Sequence, residues 1–249
     1  MQDREAMPFL EHLGELRKRI IWSLVVFILA LIAGLIAAEP LVHFLKNAEP
    51  ALGIEWNVFS PWDSITIYMK VAFIIALTIS LPFIMYQLWS FVKPGLKEQE
   101  RTATIKYIPL ALLFFLTGLA FAYFVVFPLA FHFTESVTLY LGLTQTYGIA
   151  QYFSFMFNIL LPVSLLFEMP VLVMFLTKLG ILNPERLRAA RKISYLILVI
   201  VATMITPPDL ISDLLVGVPL ILLYEMSVWL SSIVYRKKRL PSDLTTSEN

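Results

Sequence analysis

Four long stretches of the chain, 20–38, 67–92, 107–133 and 152–179, are apolar almost throughout. A helix needs roughly 20 apolar residues to cross a hydrocarbon core of about 30 Å, and each stretch meets or nearly meets that length. Two later stretches, 193–205 and 214–234, are apolar but shorter or interrupted, the second by Glu225. As a helix the first of these rises only about 20 Å. With 59% apolar and 15% charged residues, the chain has too little polar surface to cover itself in water, where about 25% charged residues is usual. Lipid is the expected solvent. The expected fold is an all-α membrane protein of six helices, bent into a concave scaffold, with spans five and six short. Residues 1–235 form one transmembrane domain, and 236–249 a basic, polar tail, without stable structure after Arg239.

Lysine and arginine set the orientation. Four segments hold four basic residues each: Arg4, Arg17, Lys18 and Arg19; Lys93, Lys97, Arg101 and Lys106; Arg186, Arg188, Arg191 and Lys192; Arg236, Lys237, Lys238 and Arg239. The alternate connections hold almost none. Both termini are therefore expected in the cytoplasm. Trp22, Trp89 and Trp229 fall near the basic span ends and Trp62 near an opposite one, as interfacial belts require. The first apolar run is too long for a cleaved leader and lacks a small-residue cleavage pattern, so span one is expected to be retained. The outer connection at 39–66 is long enough for a short helix or a surface cap.

Reactive chemistry is hard to find. The absence of cysteine excludes disulfides and thiolate sites. Three scattered histidines and no phosphate-cradling glycine loop leave no expected cofactor, no metal and no enzyme. Glu168 is different. It lies about 4.5 Å from the middle of span four, where a carboxylate costs about 2.5–3.5 kcal/mol on insertion scales. It should face protein, water or a partner helix. Pro82, Pro109, Pro128, Pro162, Pro170 and Pro219 all fall in or at the ends of spans. Each removes a backbone donor, and together they favour a shaped scaffold. On the basic side, Glu15, Glu98 and Glu100 are acids in segments that topology alone would make positive. They either pair with neighbouring bases or receive a cationic ligand.

Five fragments in order resemble the TatC family, the multispanning core of twin-arginine protein translocases. They are His12-Leu-Gly-Glu-Leu-Arg-Lys-Arg19; Ser80-Leu-Pro-Phe-Ile-Met-Tyr-Gln-Leu-Trp-Ser-Phe-Val-Lys-Pro94 with Glu100-Arg101; Phe121-Ala-Tyr-Phe-Val-Val-Phe-Pro128; Phe167-Glu-Met-Pro170; and Thr206-Pro-Pro-Asp209. The resemblance implies a receptor for twin-arginine signal peptides of folded precursors. That receptor assembles as an oligomeric complex with small single-span subunits of the TatA/TatB type, in a bacterial-type inner membrane, and export is driven by the proton-motive force. It implies a signal-peptide site of Glu15, Arg17, Phe91, Pro94 and Glu100, with Arg17 ordering the acids. It also implies Glu168 as an intramembrane partner contact and Met204, Ile205, Thr206, Pro207 and Asp209 as a docking place for the small subunits. A guanidinium fork binds carboxylate bidentately where lysine does not, which gives an arginine pair its chemical sense. Asp213 stands where a neutral amide is expected. Nucleic acid is not an expected partner. The alternative from the residues alone is a secondary transporter of a small solute, but such proteins carry repeated halves and none is visible. An intramembrane enzyme or a bare scaffold fits less well still.

Overall fold

The computed structural model describes residues 3–93, 105–206 and 210–245, with side chains from 14 to 93, 105 to 206 and 213 to 236. Helix α1 (Asp3–Lys46) packs along α2 (Asp63–Val92). Helix α3 (Tyr107–Phe121) continues through a π-helical turn, Ala122–Val126, into α4 (Phe127–Tyr140). Then come α5 (Ile149–Leu166), α6 (Met169–Leu179), a short α7 (Pro184–Ala189), α8 (Arg191–Ile205) and α9 (Leu210–Thr245). Helices α2, α3 and α5 pack on one another, and α9 packs on α6 and α8. Five helical stretches are long and apolar enough to cross a membrane: Gly14–Lys46, Asp63–Val92, Tyr107–Tyr140, Ile149–Leu179 and Asp213–Arg236. The protein is a helical membrane protein.

Prolines place the irregularities. Pro128 has no N–H to return to Phe124, and the helix ahead of it loosens into the π turn. Pro170 likewise cannot donate to Leu166, and its ring crowds that carbonyl. The chain tightens there instead, with the Glu168 N–H donating to the Leu165 carbonyl at 3.1 Å before α6 begins. Span four is thus two helices meeting at a bend, with Glu168 in the bend.

Small residues set the closest approaches. A Cβ on Gly34 would stand 2.6 Å from the Ala72 carbonyl oxygen, and one on Gly118 2.7 Å from the Phe167 Cβ and 2.9 Å from the Ser164 Cα. The lack of a side chain at these two positions lets α1 reach α2, and α3 reach the bend, a common device where lipid offers no hydrophobic drive to pack helices. The largest core cluster centres on Phe127, Phe153, Met156, Ile159 and Val163, all fully buried.

At one end of the bundle the connections form a cap. Strand β1 (Trp56–Asn57) pairs in parallel with β2 (Tyr147–Gly148), in register Trp56 to Tyr147. Trp56 lies edge-on to Tyr152 at 5.0 Å. Asp63 accepts from the Phe59 and Ser60 amides at 3.0 and 3.1 Å, which turns the chain into α2. The basic residues gather at the opposite end.

Several span limits differ from the sequence reading. Span three was expected to end at 133, but the helix runs to Tyr140, since nothing before Gly142 breaks it. The expected shortness holds for α8, at 15 residues, but α9 has 36 residues. It continues through Thr245 where an unstructured tail was expected, because the Tyr235-Arg-Lys-Lys-Arg-Leu240 run is rich in good helix formers.

Candidate functional site

The basic end presents the first acid. Glu15 lies on the first described turns of α1 and forms an ion pair with Arg19, one helical turn on. Arg19 also donates from Nη1 to Gln87 Oε1 of α2 at 3.3 Å. Residues four apart share a helix face and residues two apart do not, so Arg19 is a direct partner of Glu15. Arg17, expected to order the acids, has an exposed side chain. Phe91 is half-buried and lies one turn beyond Gln87 on α2. Its position puts it on the α2 face that Arg19 reaches, where it can wall a site with Glu15. Lys93 stands over the Trp89 ring at 5.3 Å. Pro94 and Glu100 lie outside the described residues, so their placement relative to Glu15 is not part of this geometry.

Arg19 and Gln87 are the contributors that sequence reasoning missed. The Glu15–Arg19 spacing of four was a readable signal for the first. No local pattern marked Gln87, because its role comes from the packing of α1 on α2.

Glu168 is 4% exposed, and neither carboxylate oxygen has a hydrogen-bond partner among the described residues. Phe167 beside it packs on Phe121 at 5.5 Å. A buried polar group without partners is costly, so the bend holds an unsatisfied acceptor inside the protein rather than on an open face.

The α8–α9 turn carries the last group. Met204 is 81% exposed, the highest exposure among the apolar residues of α8, while Thr206 is buried. Thr206 Oγ1 lies 3.0 Å from both the Ala202 carbonyl and Asp213 Oδ1. Asp213 thus has a structural partner where a neutral amide was expected, and its carboxylate accepts from the hydroxyl. Ile205 is half-buried. Pro207 and Asp209 lie outside the described residues. Among the described residues no cluster of histidine and acidic side chains could hold a metal ion.

The chain is similar to proteins of known family. A family model described as Sec-independent protein translocase protein (TatC) matches residues 11–219. The TatC protein of Halalkalibacterium halodurans is 47% identical, over 95% of this chain and 93% of that one. The TatCy protein of Bacillus subtilis is 43% identical, over 93% and 91%. A crystal structure of a twin arginine translocase receptor, TatC, in DDM superposes with a TM-score of 0.77 at 32% identity, covering 88% of this chain and 99% of that one. With the helices, the bend and the basic end in place, and with relatives matching nearly end to end, the chain belongs to the TatC family of Sec-independent protein translocase proteins.

Proposed function

We propose that the chain is the receptor core of a twin-arginine translocase, crossing a bacterial-type inner membrane six times with both termini in the cytoplasm. Residues 1–235 form a single domain in this reading, with α8 as a short fifth span. Its 15 residues rise about 22 Å, less than the hydrocarbon thickness, so the bilayer thins beside it or a partner helix covers its ends. The basic end faces the cytoplasm and the β-paired cap faces outward, as the lysine and arginine asymmetry requires.

The observation that carries the proposal is the carboxylate of Glu15, paired with Arg19, which in turn donates to Gln87 of α2 at the basic end of the bundle. With Glu100 it receives the arginine pair of a signal peptide on a folded precursor, while Arg17 helps order the acids and Phe91 and Pro94 border the site. An exposed ion pair gives only about 0.2–1 kcal/mol, so the apolar part of the signal must dock along the helices as well. Glu168 serves as the polar contact for an inserted signal or a partner helix that opens the bend. Met204, Ile205, Thr206, Pro207 and Asp209 form the docking place for small single-span subunits of the TatA/TatB type. Their assembly into an oligomer drives export from the proton-motive force. The family is one of transport proteins rather than catalysts, and its membership disfavours the secondary transporter of a small solute.

Export from inverted membrane vesicles tests the reading. Vesicles carrying this chain with its small subunits should take up a folded reporter bearing a twin-arginine leader and leave a twin-lysine version outside. Uptake of both, or of neither with all subunits present, overturns it.

A further inference from the structure

Between α8 and α9 at the basic end lies a cavity of about 470 Å³ that the receptor reading does not use. It is lined by Arg188, Arg191, Glu225, Trp229, Ser232 and Arg236, with two aliphatic residues beside them. Three guanidiniums face one carboxylate, and that carboxylate is already occupied. Glu225 Oε2 accepts from Arg191 Nη2 at 2.6 Å, and its Oε1 from the Tyr195 hydroxyl. Arg188 donates to the Ser232 hydroxyl at 3.2 Å, which holds it over the cavity from α7. The Arg191 Nε is shut off from solvent and has no acceptor among the described residues. The cavity therefore carries an excess of positive charge. Guanidinium forks match phosphate oxygens as well as carboxylates.

The surroundings choose among anions. Trp229 on the cavity wall is 63% exposed, as is Leu222 two turns along the same face of α9. On α8, Ile193 and Leu196 are 66% and 61% exposed. Both helices beside the basic cavity thus carry exposed apolar side chains. A free phosphate has no use for them, whereas a phospholipid places its head in the cavity and its acyl chains against these apolar side chains. Basic pockets between spans at the membrane surface suit anionic head groups. We infer that this cavity is a binding site for an anionic phospholipid, held by Arg188, Arg191 and Arg236 with Trp229 at the level of the upper acyl chain. The inference depends on α8 and α9 lying in the membrane and not on the receptor role.

Quenching of Trp229 fluorescence tests it. The purified chain is reconstituted in phosphatidylcholine bilayers with increasing phosphatidylglycerol or phosphatidylcholine brominated near the top of the acyl chain. The Trp229 signal is the difference between the wild type and Trp229→Phe. Brominated phosphatidylglycerol should quench it at mole fractions roughly five- to thirtyfold lower than brominated phosphatidylcholine, as expected for two or so basic contacts. The Arg188→Gln/Arg236→Gln double variant should lose most of that preference, and inorganic phosphate should not compete. Equal quenching by the two lipids in the wild type overturns the inference, whether or not the variant folds. So does a preference that survives in a folded double variant. Displacement by inorganic phosphate would make the site one for free anions and overturn the lipid assignment.

Discussion

Replacing Gly118 by alanine probes the closest contact behind the bend. An added Cβ would stand 2.7 and 2.8 Å from the Phe167 Cβ and Cγ and 2.9 Å from the Ser164 Cα. Carbon atoms pack at about 3.5–4.0 Å, so α3 must retreat by roughly 1 Å along its seam with α5. Two of the three atoms hit belong to the stem of Phe167, which is itself packed against Phe121 and cannot swing aside. Overpacking of this kind costs about 1–3 kcal/mol, and the upper half of that range, about 2–3 kcal/mol, applies because one obstacle is backbone. Alanine recovers up to about 1 kcal/mol of helix propensity, which leaves a net loss of about 1–2 kcal/mol. Gly14 supplies the control, since it is helical and has nothing within 4 Å of a Cβ. In a thermal-unfolding assay in detergent, Gly118→Ala should lower Tm by about 2–8 °C, Gly118→Leu by more, and Gly14→Ala not at all. A Gly118→Ala protein as stable as the wild type would refute the argument that this glycine sets the approach of α3 to the bend.

Three further outcomes follow from buried polar groups. Thr177 and Ser231 are both buried and share a hydrogen bond of 2.7 Å between α6 and α9. Thr177→Val and Ser231→Ala should each cost about 1–2 kcal/mol in unfolding experiments, with the double variant costing clearly less than the sum. Thr206→Val should loosen the α8–α9 turn by about 1–2 kcal/mol by leaving the Asp213 carboxylate without its hydroxyl donor. Asp213→Asn, which still accepts through its amide oxygen, should cost less than half as much in the same assay. Glu168→Leu should leave the isolated chain as stable or more stable, because an unsatisfied buried carboxylate is replaced by an apolar side chain. The same variant should reduce export of a folded reporter if the carboxylate meets a partner, so stability and transport should move in opposite directions.

Five of the expected spans were legible because uninterrupted apolar length is a direct consequence of the bilayer as solvent, and Pro170 was among the six prolines expected to bend the helices. Other features depend on contacts far apart in sequence. The pairing of Trp56 with Tyr147 involves two residues per strand, too few for an alternating pattern, so the outer connection read equally as a short helix or a surface cap. The burial of Glu168 depends on which neighbour covers its face of the helix, and α3 supplies that cover only through the absence of a side chain at Gly118. Arg17 and Arg19 are equivalent by composition. Helical geometry separates them: the spacing of four marks Arg19 as a direct partner of Glu15, while the role expected of Arg17 also concerns Glu100, outside the described residues. The cavity of Arg188, Arg191 and Arg236 was read only as topology, because Arg236 lies on a different helix from the other two and becomes their neighbour through packing.

Binding of a twin-arginine signal peptide to the purified chain in nanodiscs tests the receptor assignment most directly. A twin-lysine peptide and the Glu15→Ala and Glu100→Ala variants serve as comparisons. The account predicts that the arginine peptide binds, that the lysine peptide binds at least tenfold more weakly, in line with loss of about 1.4 kcal/mol or more of bidentate contact, and that either substitution removes the difference. Equal binding of the two peptides, or a preference that survives both substitutions, would contradict it.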